Sequence, residues 1–413
     1  MAKTSALKTR TSARPSKGVA APPVVFDRRR AVDLVMQLMA IPGASGHEGA
    51  VAEFIKSKLL AAGVPADAIR HDKANSKTLI AGEVGNLIVQ LPGTLRGPRR
   101  LLMAHMDTVP ICVGSQPKRQ GRQVRSANPA TGLGADDRAG AAVVLAAALE
   151  ILERDLPHPP LTLLWAIQEE VGLQGARHVQ ASLLGKPKLA FNFDGGAAEK
   201  LTIGATGGYR MQIEISGLAS HAGGAPEQGI SAIAIASLAI ARLVQDGWHG
   251  LIEKNGHTGT SNVGVIQGGH ATNVVTDYVL LKAEARSHNP AFREQIVTAI
   301  ETAFRDAASQ ITNTAGQRGK VKIDGRADYE AFRLADNDPS LLAAERAVRD
   351  VGREPLRAIS NGGLDANWMT AHGIPTVTLG CGQMNIHTTS ERLDLDAFEA
   401  ACQIALRLAT DTE

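Results

Sequence analysis

Two adjacent glutamates, Glu169 and Glu170, follow the apolar run Leu161–Ile167 after a single glutamine. Like charges at the end of a buried segment repel each other and resist desolvation, and a nearby cation relieves both problems. Other apolar segments end in comparable residues. LLMAHMD ends in His105 and Asp107, FNFDGG supplies Asp194, and a glycine-rich loop before a helix carries Asp136 and Asp137. His387 follows TVTLGCG near the end of the chain. Any one of these has an ordinary explanation, such as a surface pair, a structural histidine or a helix cap. As a set, two imidazoles and several carboxylates suit zinc, with manganese or cobalt as other occupants. One tetrahedral zinc needs fewer carboxylates than this. Two metals bridged by one carboxylate would use them all and bring about four positive charges to the glutamate pair.

The elements that must position these residues are legible as periodicity. RRRAVDLVMQLMAI and GAVAEFIKSKLLAAG have helical spacing, and RAGAAVVLAAALEILER reads as a helix of small residues. Between them, short apolar runs flanked by turns read as buried strands: NLIVQLPG, RRLLMAHMD, LTLLWAIQEE and KLAFNFDGG. Strands alternating with helices predict an α/β layered sheet, with chemistry beyond the carboxyl ends of the strands. From about Thr206 the pattern changes to half-exposed strands and two helices in the order β-α-β-β-α-β, that of a ferredoxin-like unit. The expected organisation is a basic tail at 1–26, a catalytic α/β domain at 27–206 and 329–413, and an inserted domain at 207–328.

Composition narrows the functional class. The chain has 413 residues, 44% of them hydrophobic and 21% charged, as in ordinary globular proteins. The net charge of +3 is concentrated in the tail, where Lys3, Lys8, Arg10, Arg14 and Lys17 face no acid. The remaining 39 bases and 41 acids are nearly balanced, so no nucleic-acid surface is expected. The tail suits a disordered extension, with an organelle transit peptide as the alternative. No apolar run reaches membrane-spanning length. Three cysteines, an odd number without a CxxC pair, fit a reducing compartment and predict a cytoplasmic protein.

The motifs HMDTV, GADDRAG, EEVG, FDGG and the late NIH together resemble the dizinc exopeptidases related to peptidase T, carboxypeptidase G and the aminoacylases. GLGADDRAG, FNFDGG and the long stretch from Gly207 to Ile233 look most like the peptidase T-like branch. The resemblance covers about residues 30–410. It implies that His105 and His387 each bind one metal, that Asp136 bridges the pair, and that Glu170 and Asp194 complete the ligands. It casts Asp107 as the acid that orients the His105 imidazole and Glu169 as the general base. Where Arg138 follows the two aspartates, the related enzymes usually have lysine, and the exchange is not neutral in a tight site.

The mechanism so implied is peptide hydrolysis by hydroxide held between two metals, its proton accepted by Glu169 and passed to the leaving amine. His221, in LASHAGG, matches a histidine that reaches the oxyanion from a partner subunit, which implies a homodimer through the inserted lid domain. The apolar helix SAIAIASLAIARLV could serve that contact or only its own core. Asn273 and Arg286 match a substrate-binding pair, and Gly362 and Gly363 could present backbone N–H groups. A capped loop histidine, a solvated arginine and a plain turn are the simpler readings of these residues. The basic stretch Pro117–Ser126 reads as a solvated hairpin or a substrate contact. The expected activity is that of a tripeptidase or aminopeptidase on short peptides. The alternatives are a carboxypeptidase or N-acyl-amino-acid amidohydrolase, a dinuclear phosphatase, and a metal-binding protein without activity.

Overall fold

The apolar runs assemble into one large sheet. The computed structural model describes residues 25–411, so most of the predicted tail lies outside the described residues. Helices α1 (Arg28–Ala40) and α2 (Gly49–Ala61) precede strands β1 (Ile69–His71), β2 (Leu87–Leu91) and β3 (Arg100–His105). The hairpin of β4 (Pro117–Gln120) and β5 (Gln123–Ser126) comes next. It is followed by α3 (Ala135–Glu153), β6 (Leu161–Ala166), α4 (Gln174–His178), β7 (Leu189–Phe193) and β8 (Lys200–Ala205). After a second layer, the chain returns with β14 (Phe332–Arg333), α7 (Pro339–Asp350), β15 (Leu356–Ser360), α8 (Asp365–Ala371) and β16 (Thr376–Leu379). It closes with β17 (Gln383–Met384), β18 (Arg392–Asp394) and α9 (Leu395–Thr410).

The sheet runs β1-β2-β6-β3-β7-β16-β8-β14, with β15 pairing to β8. Its centre is parallel: β3 pairs β6 and β7 in parallel, and β7 pairs β16 in parallel. Their carboxyl ends therefore share one edge, where His105 ends β3 and Asp194 follows β7. Both faces are covered, and every residue of β3, β6 and β7 is buried. That explains why these strands read as continuous apolar runs rather than alternating ones. Helix α3 lies close against β7. A Cβ at Gly140 would collide with the Phe193 carbonyl, so glycine permits the approach that brings the Asp136 loop to the strand end. Trp165 anchors the other side, with its indole N–H donating to Ala141 O at 3.1 Å. Truncating a buried aromatic of this kind costs about 3–5 kcal/mol.

The second layer comprises β9 (Gly207–Ser216), α5 (Ala232–Gln245), β10 (Gly250–Lys254), β11 (His257–Gly268), β12 (Tyr278–Ser287), α6 (Pro290–Gln310) and β13 (Lys320–Tyr329). Its antiparallel sheet has the order β10-β11-β12-β9-β13. Burial along β12 alternates, and the buried side faces a core with Ile213, Ile235, Phe292 and Phe304 beneath α5 and α6. Strand β10 is an addition to the expected β-α-β-β-α-β order. It forms a hairpin with β11 through Asn255 and Gly256, which have φ values of 53° and 75°. Left-handed backbone at both loop positions is what a type I′ two-residue hairpin turn requires. A third, small sheet of order β17-β18-β5-β4 carries the hairpin at Pro117–Ser126 beside the loop that bears His387.

Candidate metal centre

Five chain segments converge at the carboxyl edge of the large sheet. His105 sits at the last position of β3, and Asp136 lies in the first turn of α3 behind the left-handed Gly134. Asp194 directly follows β7, with its N–H bonded to Leu379 O of β16 at 2.9 Å. After β6 the chain turns sharply: Gln168 has a φ of 53°, Gly172 of 108° and Leu173 of 58°. The N–H groups of Gly172 and Leu173 both donate to Glu169 O, at 3.0 and 2.8 Å. This turn gives both glutamates access to one site, although neighbours in an extended strand point apart. His387 comes from the loop between β17 and β18.

The histidines approach Asp136 from opposite sides. His105 Nε2 lies 3.2 Å from Asp136 Oδ1, and His387 Nε2 lies 3.2 Å from Oδ2. His387 Nε2 is also 3.0 Å from the Glu170 carboxylate. Two groups of donors result, His105 with Asp136 and Asp194, and Asp136 with Glu170 and His387. Within each, one ligand atom per residue lies within 4.8 Å of the others, close enough to hold a metal ion. Glu169 belongs to neither group, yet its Oε2 is 3.9 Å from His105 Nε2. Imidazole and carboxylate donors in these proportions fit two divalent cations sharing Asp136.

The electrostatics match that donor set. Burial raises the Asp194 carboxyl to about 7, with Asp136 adding repulsion. Burial likewise pushes Glu169 well above the ordinary range, and raises Glu170 against the opposing bond from His387. Asp136 behaves differently. Burial would raise it, but the bonds from His105 and His387 prevail and hold it below the usual carboxylate range. Hydrogen bonds from Asp136 and Glu170 raise His387 to about 10. So many buried carboxyl groups favour protons or cations in their midst.

Supporting side chains complete the cluster. Asp107 is fully buried, with Oδ1 3.3 Å from His105 Nδ1. It also accepts the backbone N–H of Glu169 at 2.9 Å, that of Glu170 at 3.2 Å, and the Ser45 hydroxyl at 2.6 Å. Asp137 accepts the His105 N–H at 3.1 Å and the Gln383 amide at 2.8 Å. Ser45 and Gln383 escaped the sequence reading, because isolated polar residues in loops carry no pattern. Glu48 and Asp365 escaped it as well. Glu48 is wholly buried and accepts the N–H groups of Gly46 and Gln168. Asp365, 1% exposed, is raised to about 7 by burial. Arg138 is buried too, and its Nη2 donates to Gly43 O at 3.1 Å.

A cavity of about 520 Å³ opens over the cluster. Glu169, Glu170, Asp194 and His387 line it together with Arg286, Gly362 and Gly363. Arg286 is held by Glu284, with Nε and Nη2 bonds of 3.0 and 2.9 Å. His221 and Asn273 do not line this cavity. They are neighbours elsewhere: His221 bridges to Val274, and Ala222 N–H donates to Asn273 O at 2.9 Å. The exposed His221 ring accepts the N–H groups of Gly223 and Gly224.

A carboxylate-rich centre with two histidines, at the carboxyl edge of an α/β sheet, is the kind of site suited to metal-dependent hydrolysis. The chain belongs to peptidase family M20/M25/M40, whose family model matches residues 101–411. It is 31% identical to the Bacillus subtilis protein YqjE over 385 residues, covering 93% of this chain and 98% of that one. Among solved structures it is similar to a tripeptidase from Staphylococcus aureus, at 29% identity and a TM-score of 0.83. That match covers 93% of this chain and 98% of the other. It is also similar to the aminopeptidase PepT from Bacillus cereus, at 30% identity and a TM-score of 0.80. Here the match covers 94% of this chain and 99% of the other.

Proposed function

We propose that the protein is an exopeptidase of the tripeptidase or aminopeptidase kind, acting on short peptides at a centre of two zinc ions. The observation that carries this reading is Asp136, which faces His105 with one oxygen and His387 with the other. His105, Asp136 and Asp194 would hold one metal, and Asp136, Glu170 and His387 the other. The bound metals would supply Lewis acidity toward the scissile carbonyl and lower the pKa of an attacking water. Glu169 stands outside both donor groups and accepts the water's proton on its carboxylate. It then returns that proton to the leaving amine, a role typically contributing about 10²–10⁴ in rate. Asp107 holds the His105 ring and the backbone of both glutamates in place.

The preference for short free peptides is supported by the similarity to enzymes named tripeptidase and aminopeptidase. A second reading is compatible with Lys200, Arg210 and Arg286, which line the cavity and suit the carboxylate that an N-acyl amino acid carries as a free peptide does. It is that of a carboxypeptidase or N-acyl-amino-acid amidohydrolase. A panel of free tripeptides, end-blocked peptides and N-acyl amino acids, with elemental analysis of the purified protein, separates the two. Cleavage of tripeptides with about two zinc ions bound per chain is expected. Intact tripeptides beside cleaved N-acyl amino acids would overturn the first reading.

The unit at 207–328 acts in this proposal as a lid and as the contact surface of a homodimer. In support, α5 exposes Ile233, Leu238 and Val244 at 42%, 45% and 58%. His221 and Asn273, which do not line the cavity of their own chain, would then serve the partner's, and Gly362 and Gly363 would hold the substrate backbone. Three buried free cysteines, Cys112, Cys381 and Cys402, support a cytoplasmic location. Among the described residues no helix is long and apolar enough to cross a membrane.

A further inference from the structure

Glu391 lies four residues beyond His387 and has no part in the chemistry above. Its side chain is buried, 2% exposed. One carboxylate oxygen, Oε2, accepts the backbone N–H groups of Leu133 and Gly134, both at 2.8 Å. The other, Oε1, accepts the N–H of Asp136 at 3.1 Å. The Cys112 thiol donates to Oε2 at 3.3 Å. Gly134 between these donors has a φ of 79°. Left-handed backbone inside a run of N–H groups makes a concavity for anions, and here it opens at the N-terminus of the long helix α3. The chain fills that concavity with its own carboxylate. Gly132 keeps the space open: a Cβ there would lie 2.8 Å from Cys112 Sγ and 3.0 Å from Glu391 Oε2.

A helix cap satisfies one or two N–H groups from a neighbouring residue. Glu391 instead satisfies three across more than 250 residues of sequence. Its own N–H donates to Thr388 O at 3.2 Å, so the turn Thr388–Glu391 links it to His387. One carboxylate thus ties the Asp136 loop to the His387 loop. The two metal groups depend on this tie unequally. His105 and Asp194 stand at the ends of paired parallel strands, whose ladders fix them. Asp136, shared by both groups, stands at the non-helical start of α3 and His387 on a loop, and Glu391 spans both segments.

We propose that Glu391 is a positioning residue that builds the Asp136–Glu170–His387 group. Its loss weakens that metal site more than the other, which shares Asp136 but keeps His105 and Asp194 on the strand ends. The inference rests on the two-metal reading above. The test is zinc binding by the full-length protein, followed by competition with a chromophoric chelator, for wild type and Glu391→Gln. In the variant an amide N–H₂ faces backbone N–H groups, so at least one bond becomes a repulsion. The expected result is two sites in the wild type. In the variant the His387 site is weaker by about 10–100-fold, the range for loss of a group that supports metal ligands, and the other, through the shared Asp136, by less. Gly132→Ala provides an independent route if Glu391→Gln does not fold. It leaves the carboxylate in the chain, crowds its seat, and is expected to weaken the same site more than the other. Equal weakening of both sites, or of neither, overturns the proposal. A wild type that binds fewer than two zinc ions overturns instead the two-metal reading on which it rests.

Discussion

Asp107 accepts the backbone N–H of Glu169 at 2.9 Å while the same oxygen lies 3.3 Å from the His105 ring. One carboxylate thus contacts both the imidazole proposed to bind a metal and the chain that carries the proposed general base. Asp107→Asn keeps the volume but turns one acceptor into a donor facing a backbone N–H. The expected loss is about 10–100-fold in kcat/KM, as for other groups that support ligands. Steady-state kinetics at saturating zinc checks this, and an unchanged kcat/KM would show that neither contact matters.

Glu169 sits beside the donor groups but in neither of them. Glu169→Gln should therefore lower kcat by about 10²–10⁴ while leaving the zinc content at the wild-type value. Elemental analysis alongside turnover distinguishes the roles. Loss of a metal with the activity would make Glu169 a ligand instead of the base.

Glu48 lends stability a pH dependence of its own. Burial, helped by repulsion from Asp107, raises its carboxyl from 4.5 to about 7. The folded state then binds more protons than the unfolded one between these values, so stability falls as pH rises. The neutral acid's contribution is complete below 4.5 and is lost as pH passes 7, an effect of about 3 kcal/mol. Glu48→Gln keeps an acceptor for Gly46 and Gln168 without the charge. In urea unfolding of metal-free protein, the variant should gain on wild type between pH 5 and pH 8. A gap independent of pH would refute the assignment.

His221 is exposed and outside the cavity of its own chain. If it acts across a dimer, His221→Ala and Glu169→Ala should each be inactive alone. Mixed and re-associated, they should recover activity, because one hybrid site contains both native residues. No recovery, in a mixture shown by mass spectrometry to contain hybrid dimers, would place His221 outside the reaction.

Much of the architecture was legible as pattern. The apolar runs at Leu161 and Leu189 form buried strands, and the periodic stretches at Arg28, Gly49 and Ala232 form helices. Local signals were also passed over. Asn255-Gly256 is a strong hairpin signal, yet β10 was not anticipated. The helix α9 from Leu395 and the strand β8 from Lys200 likewise went unread. Asp365 was hidden in a glycine-rich stretch that looked like a turn, and burial makes its carboxyl unusual.

The sequence by itself determined which donors are present, that they follow apolar strands, and the family to which they belong. Residue type and short-range periodicity carry that information, because they reflect local burial. Only the tertiary structure decided that His105 and His387 meet the two oxygens of Asp136 from opposite sides. It alone showed that Glu391 ties the Asp136 segment to the His387 loop and that His221 does not line the cavity. Those distances depend on the order of strands in the sheet and on hydrogen bonds across hundreds of residues. No local spacing encodes them.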